Sequence, residues 1–142
     1  MEPSKPVPTA ALLVCQDVLA LVHSFKIRMA ALAEEHGLTG VQLGALYTIA
    51  EQQMTIGKVA QALHCDASNA TGIVDRLVAL GLITRREYER DRRIKLLEIT
   101  EKGASLVDRV KEAMVERLGC ARFSQEEGKL IHSMASKMTI DG

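Results

Sequence analysis

Two segments of helical character meet at a tight joint, Leu63-His64-Cys65-Asp66. On its near side, Thr55 opens a short segment, Ile56–Leu63. On its far side, Asp66 caps a longer one whose apolar stripe is Ile73, Val74, Leu77 and Leu80, with Gly81 as its terminator. A short helix, a turn of about three to four residues and a second helix form a helix-turn-helix. In that arrangement the second helix is the one able to enter a major groove. Few folds accommodate so tight a joint, and the rest of the chain has to be built around it.

Upstream, Thr39 can cap a helix running to about Gln53, with Val41, Leu43, Leu46, Ile49 and Ala50 apolar. Downstream, Leu82–Tyr88 and Ile94–Thr100 are β-capable, and the hydrophilic stretch Glu89–Arg93 lies between them, which reads as a hairpin. Thr100-Glu101-Lys102-Gly103 opens a further helix to about Cys120, carrying Leu106, Val107, Val110, Met114 and Leu118. Ser124 followed by Glu127 is a capping-box pattern that starts a last helix with Leu130, Ile131, Met134 and Met138.

The N-terminal part is different in kind. Residues 1–8 contain all three prolines and read as a flexible extended arm. From Thr9 to about His36 there is no Gly or Pro, and Thr9 can cap the start. Leu12, Leu19, Val22, Phe25, Met29, Leu32 and Ala33 recur near helical spacing, while Leu13, Val18, Leu21 and Ile27 fall outside that stripe. A helix apolar nearly all round needs two partners. In a chain of 142 residues one of them can be a second subunit. Gln16 and Asp17 interrupt the apolar runs Ala10–Val14 and Val18–Val22, which are too short and too polar for a membrane span, so no membrane partner is expected.

Basic and acidic residues number 18 each, so no net positive field drives indiscriminate binding to nucleic acid or membranes. The neutrality is a sum over unlike parts, however. Between Ile83 and Lys95 stand Arg85, Arg86, Arg90, Arg92, Arg93 and Lys95 against Glu87, Glu89 and Asp91, a local surplus of three. An arginine-rich hairpin tip can enter a minor groove, where the potential is most negative, and neighbouring acids can hold the arginines in fixed orientation. The outward face of the second helix carries Ser68, Asn69, Thr71, Gly72, Asp75 and Arg76. Asn pairs well with adenine, and Ser or Thr can bond a base or a phosphate. Considered separately, each feature is an ordinary solvated surface; the combination is far more specific.

Taken together, Leu38-Thr39-Gly40-Val41-Gln42, Ile56-Gly57-Lys58-Val59-Ala60, Val74-Asp75-Arg76-Leu77, Gly81-Leu82-Ile83, Asp91-Arg92-Arg93 and Leu97-Glu98-Ile99-Thr100-Glu101-Lys102-Gly103 resemble the MarR family of winged helix-turn-helix transcriptional regulators. The resemblance is strong from Leu38 to Gly103 and extends to the flanking helices in layout. It implies a mainly α fold with a small β-hairpin wing. Residues 39–103 would form the DNA-binding region, and 9–38 with 104–142 long dimerisation helices, intertwined as one domain. It also implies a homodimer on a near-palindromic double-stranded operator, most often a cytoplasmic repressor released by a small aromatic effector. By position, Ser68, Asn69 and Thr71 fall on the family's contacting helix start. Asp91 and Arg93 fall on the wing's acid and minor-groove arginine, with Arg92 beside them, and Arg76 on a position usually filled by arginine. Two departures, Gly72 in mid-helix and Cys65-Asp66 at the cap, lead to an expectation of modest operator affinity.

No nucleophile elbow, phosphate loop, zinc motif or paired-carboxylate motif is present, so no catalytic residue, cofactor or metal site is assigned and an enzyme is not expected. Cys15 lies where a redox-sensing branch of the family carries its reactive thiol, which makes a redox-responsive regulator the alternative reading. A buried, inert cysteine is nonetheless expected there, and at Cys65 and Cys120. His23, His36, His64 and His132 show no chelating spacing. An effector cleft could be lined by Val22, Phe25, Met29, Leu43, Leu46, Tyr47 and Val107, although ordinary core packing explains each of them and no effector-binding residue is assigned. A third possibility is a protein-interaction module that has kept the fold and lost operator binding.

Overall fold

The computed structural model describes Pro6 and residues 8–139, so most of the expected N-terminal arm lies outside the described residues. The elements follow in the order α1 (Thr9–Glu34), α2 (Gly40–Glu51), α3 (Ile56–Ala62), α4 (Ala67–Ala79), β1 (Ile83–Tyr88), β2 (Asp91–Ile99), α5 (Glu101–Arg117) and α6 (Gln125–Met138), with a 3-10 turn, Cys120–Arg122, before α6.

Local chemistry sets nearly every helix start. Thr39 Oγ1 accepts from the Gln42 amide at 3.2 Å while Gln42 Oε1 accepts from the Thr39 amide at 3.0 Å, closing a capping box. Thr55, Asp66 and Thr100 each accept from the amide three residues on, at 3.3, 2.7 and 3.0 Å. Ser124 and Glu127 form a second capping box. Helix α1 is the exception. Its cap residue is Pro8, and Thr9 is already helical, so the Thr9 hydroxyl does not cap. The Pro8 carbonyl instead accepts from Leu12 at 3.1 Å.

One core sits under the helix-turn-helix. Leu43, Leu46 and Ile49 of α2, Val59 of α3, Val74 and Leu77 of α4, Ile83 and Leu97 of the hairpin and Val110 of α5 are all fully buried. A single antiparallel bridge between Met54 and Leu97 ties the segment after α2 to the hairpin base, with Leu97 donating to the Met54 carbonyl at 2.8 Å. Gly103 explains the motif that opens α5. A Cβ there would stand 2.1 Å from the Leu82 carbonyl oxygen, so only glycine allows α5 to cross the end of α4 this closely. Thr100 and Lys102 tighten the same crossing by donating to the Gly81 and Leu80 carbonyls at 2.6 and 2.8 Å.

The two terminal helices barely join this core. Only Leu32 and Ala33 of α1 are buried, and no residue of α6 is. Leu19, Leu21, Ile27, Leu130 and Met138 are more than half exposed. By length and composition α1 could cross a membrane, since an 18-residue window of it has a mean hydropathy of 1.6 with none of the window buried. The two short apolar runs are therefore continuous in the fold, and length and composition by themselves do not separate a membrane span from a helix that packs against protein. A single helix carries both runs straight through Gln16 and Asp17, and two polar residues weigh little when averaged over five turns.

Candidate nucleic-acid interface

Helix α4 places its apolar stripe and its polar face as its periodicity demands. Ala70, Ile73, Val74 and Leu77 are buried, and Ser68, Asn69, Thr71, Gly72, Asp75 and Arg76 are exposed. The turn before it contains His64 at φ 51°, a left-handed conformation uncommon outside glycine, and this reverses the chain within four residues.

The Asp66 carboxylate is occupied by the Asn69 amide, so the acid at the cap is part of the helix start. The Thr71 hydroxyl donates to the Ala67 carbonyl at 2.8 Å. It therefore presents an acceptor and a methyl group, and a donor only if that bond breaks. Among the described residues Arg76 makes no ion pair, which leaves its guanidinium available.

The hairpin differs from the sequence expectation in its edges. Its turn is only Glu89-Arg90, and Asp91, Arg92 and Arg93 already belong to β2. Register runs regularly from Ile83 opposite Ile99 to Glu87 opposite Lys95, then jumps to Tyr88 opposite Asp91. Arg92, Arg93 and Ile94 are thus bulged out of the ladder, as happens where a strand must re-aim its side chains. The Asp91 carboxylate accepts from the Arg93 amide at 3.0 Å, so this acid shapes the bulge through the backbone.

Charges in the hairpin divide into two sets. Arg85 pairs with Asp75 of α4, Arg86 with Glu98 at 2.8 Å, and Lys95 with Glu87 at 2.7 Å. Glu98 is also held by the Gln53 amide, just beyond α2. Among the described residues Arg90, Arg92 and Arg93 have no ion-pair partner, and all three are exposed at the turn and bulge. The acids do orient cations, as expected, but those cations are the ones facing the body of the hairpin.

The cysteines are not buried as expected. Cys15 and Cys120 are exposed and Cys65 is half-buried; α1 and the turn before α6, which carry the two exposed thiols, have few neighbours among the described residues. Among the described residues no three His, Cys, Asp or Glu side chains gather as a metal site. A groove of about 1120 Å³ lies between α1, the end of α5 and the start of α6. Val22 and Phe25 line it, whereas Leu43, Leu46 and Val107 are buried in the core, the packing role that accounts for each of them in the sequence. Tyr47 instead lies beneath Lys111, whose ammonium is 5.4 Å from the ring centre. Arg28, Arg117 and Arg122 also line the groove, cations that spacing in the sequence did not bring together. Arg28 donates to the Arg117 carbonyl at 2.8 Å and Arg117 pairs with Glu35.

A family model described as MarR family matches residues 36–94. The chain is 31% identical over 103 residues to the organic hydroperoxide resistance transcriptional regulator of Bacillus subtilis (strain 168), covering 72% of this chain and 70% of that protein. Solved structures share the fold. AbsC, a MarR family transcriptional regulator from Streptomyces coelicolor, aligns over 95% of both chains at 18% identity with a TM-score of 0.78. NadR, solved in complex with 4-hydroxyphenylacetate, aligns over 97% of both chains at 20% identity with a TM-score of 0.71.

Proposed function

This chain belongs to the MarR family of transcriptional regulators, and on that ground we propose that it acts as a homodimeric repressor on a near-palindromic operator. Its relatives are regulators rather than enzymes. The observation that carries the reading is the division of charge in the hairpin. Three arginines without an ion-pair partner among the described residues are exposed at its tip and bulge, beside an exposed polar face on α4. Ser68 and Asn69 read base edges, and Thr71 accepts a bond or packs on a thymine methyl. Arg76 grips phosphate. Arg92 and Arg93 enter the minor groove, and Asp91 fixes the bulge that aims them. The apolar faces of α1 and α6 pair with those of a second copy, which sets two reading helices about one helical turn of DNA apart. The dimer works in the cytoplasm and obstructs transcription where its operator overlaps a promoter.

Selection of bound fragments from the native genome tests this and yields the operator. On that operator, in a gel-shift titration at fixed salt, Arg93→Ala is expected to weaken binding by about 1–3 kcal/mol while the dimer stays intact. Unchanged binding would remove Arg93 from the interface.

Release has two candidate triggers. An aromatic effector is supported by the fold relative crystallised with 4-hydroxyphenylacetate. Oxidation at Cys15 is supported by that thiol's place on α1 and by the name of the Bacillus subtilis relative. Treating the protein with an organic hydroperoxide separates them. Loss of operator binding that Cys15→Ser abolishes supports oxidation, and retained binding by the treated wild type excludes it.

A further inference from the structure

Asp75 stands on the exposed face of α4, in line with Ser68, Thr71 and Gly72 by helical spacing. An acid in that line opposes a phosphate backbone. The hairpin supplies the answer. Arg85 shares the inward face of β1 with Ile83, opposite the buried Leu97, so it is the last residue of the hairpin to point at the body of the protein. From there its guanidinium reaches across to the Asp75 carboxylate, and the pair stays partly open to solvent, with the Arg85 side chain 33% and the Asp75 side chain 58% exposed. Gly72 lies one turn before Asp75, with nothing within 4 Å of where a Cβ would stand, so no side chain at that position screens the pair.

Resting on the DNA-binding reading, we propose that Arg85 is a positioning residue that acts on DNA recognition through Asp75. It neutralises the one acid on α4 aligned with the reading residues, so that this face does not repel the phosphate backbone. Arg85 itself does not contact phosphate. The pair sits at the surface, where ion pairs add little to stability, so removing it leaves the fold intact.

The test is a double-mutant cycle on a labelled duplex that the wild-type protein recovers from a random-sequence pool, with a scrambled duplex alongside and thermal melts as the folding control. Arg85→Ala, which exposes the unpaired Asp75 carboxylate, is expected to lose at least tenfold in affinity for the selected duplex. Asp75→Asn is expected to change it by less than threefold. The combined variant is expected to return to within threefold of Asp75→Asn, with the slope of affinity against salt unchanged. An arginine that gripped phosphate directly would give another pattern: the combined variant would stay as weak as Arg85→Ala, and the salt slope would fall by about 0.9 for the lost contact. That pattern, or unchanged binding by Arg85→Ala, overturns the inference alone. Failure of the wild type to recover any duplex overturns the DNA-binding reading and this inference with it.

Discussion

Helices α4 and α6 carry the same kind of pattern in sequence and meet opposite fates in the fold. Each is thirteen or fourteen residues long, each starts at a side-chain cap, and each has an apolar stripe at helical spacing. In α4 the stripe of Ala70, Ile73, Val74 and Leu77 is buried at 7% exposure or less. In α6, Leu130, Ile131, Met134 and Met138 remain 44–64% exposed. An apolar stripe states that a helix needs a partner; it does not state that the partner lies in the same chain. For α4 the partners are α2, α3 and the hairpin. For α6 and most of α1 the described residues provide none, and a second copy is the proposed one.

The comparison can be broken most directly at Leu77. Leu77→Ala removes a fully buried side chain and is expected to cost about 2–5 kcal/mol in chemical denaturation. A cost under about 1 kcal/mol would mean that the α4 stripe is no better packed than the α6 stripe. Leu130→Lys probes the other side. It should leave the helical content of the protein unchanged while weakening self-association at least tenfold, about 1.4 kcal/mol, in a sedimentation dilution series. A dimer as tight as wild type would place the seam elsewhere. Asp66→Ala sharpens the contrast at the helix start. Loss of its bond to the Asn69 amide is expected to lower stability by about 1 kcal/mol, and a thermal melt at neutral pH measures it.

The smallest effect is expected where the two regions join. Glu35, just past α1, accepts from Arg117 at the end of α5, and that hydrogen bond holds its carboxyl below the usual carboxylate range. A carboxyl lowered in this way adds stability above the ordinary range, and the contribution vanishes as pH falls through the lowered value. The difference in melting temperature between wild type and Glu35→Gln should therefore be small at neutral pH and close in acid. A difference that widened in acid would contradict the pairing.

Legibility from sequence followed the range of the interactions involved. Thr39, Thr55, Asp66, Thr100 and Ser124 were identifiable as caps because a cap bonds an amide three residues away. Thr9 misled because Pro8, one residue earlier, takes the cap position. The start of β2 at Asp91 was missed because a bulge is a relation between two strands, and the β-propensity of Arg92 and Arg93 carries no trace of it. The cysteines were misjudged for a similar reason: a thiol's burial depends on its neighbours.

What the sequence determined by itself is the succession of elements and the polar face of α4, because both are written in local spacing. Only the tertiary structure decided which charges remain available. Arg85 and Arg93 are the same residue type in the same basic run, yet one is drawn to Asp75 across the fold and the other is bulged into solvent with no ion-pair partner among the described residues. The pairing of a cation is set by distance in space, and a composition that sums to zero cannot express it.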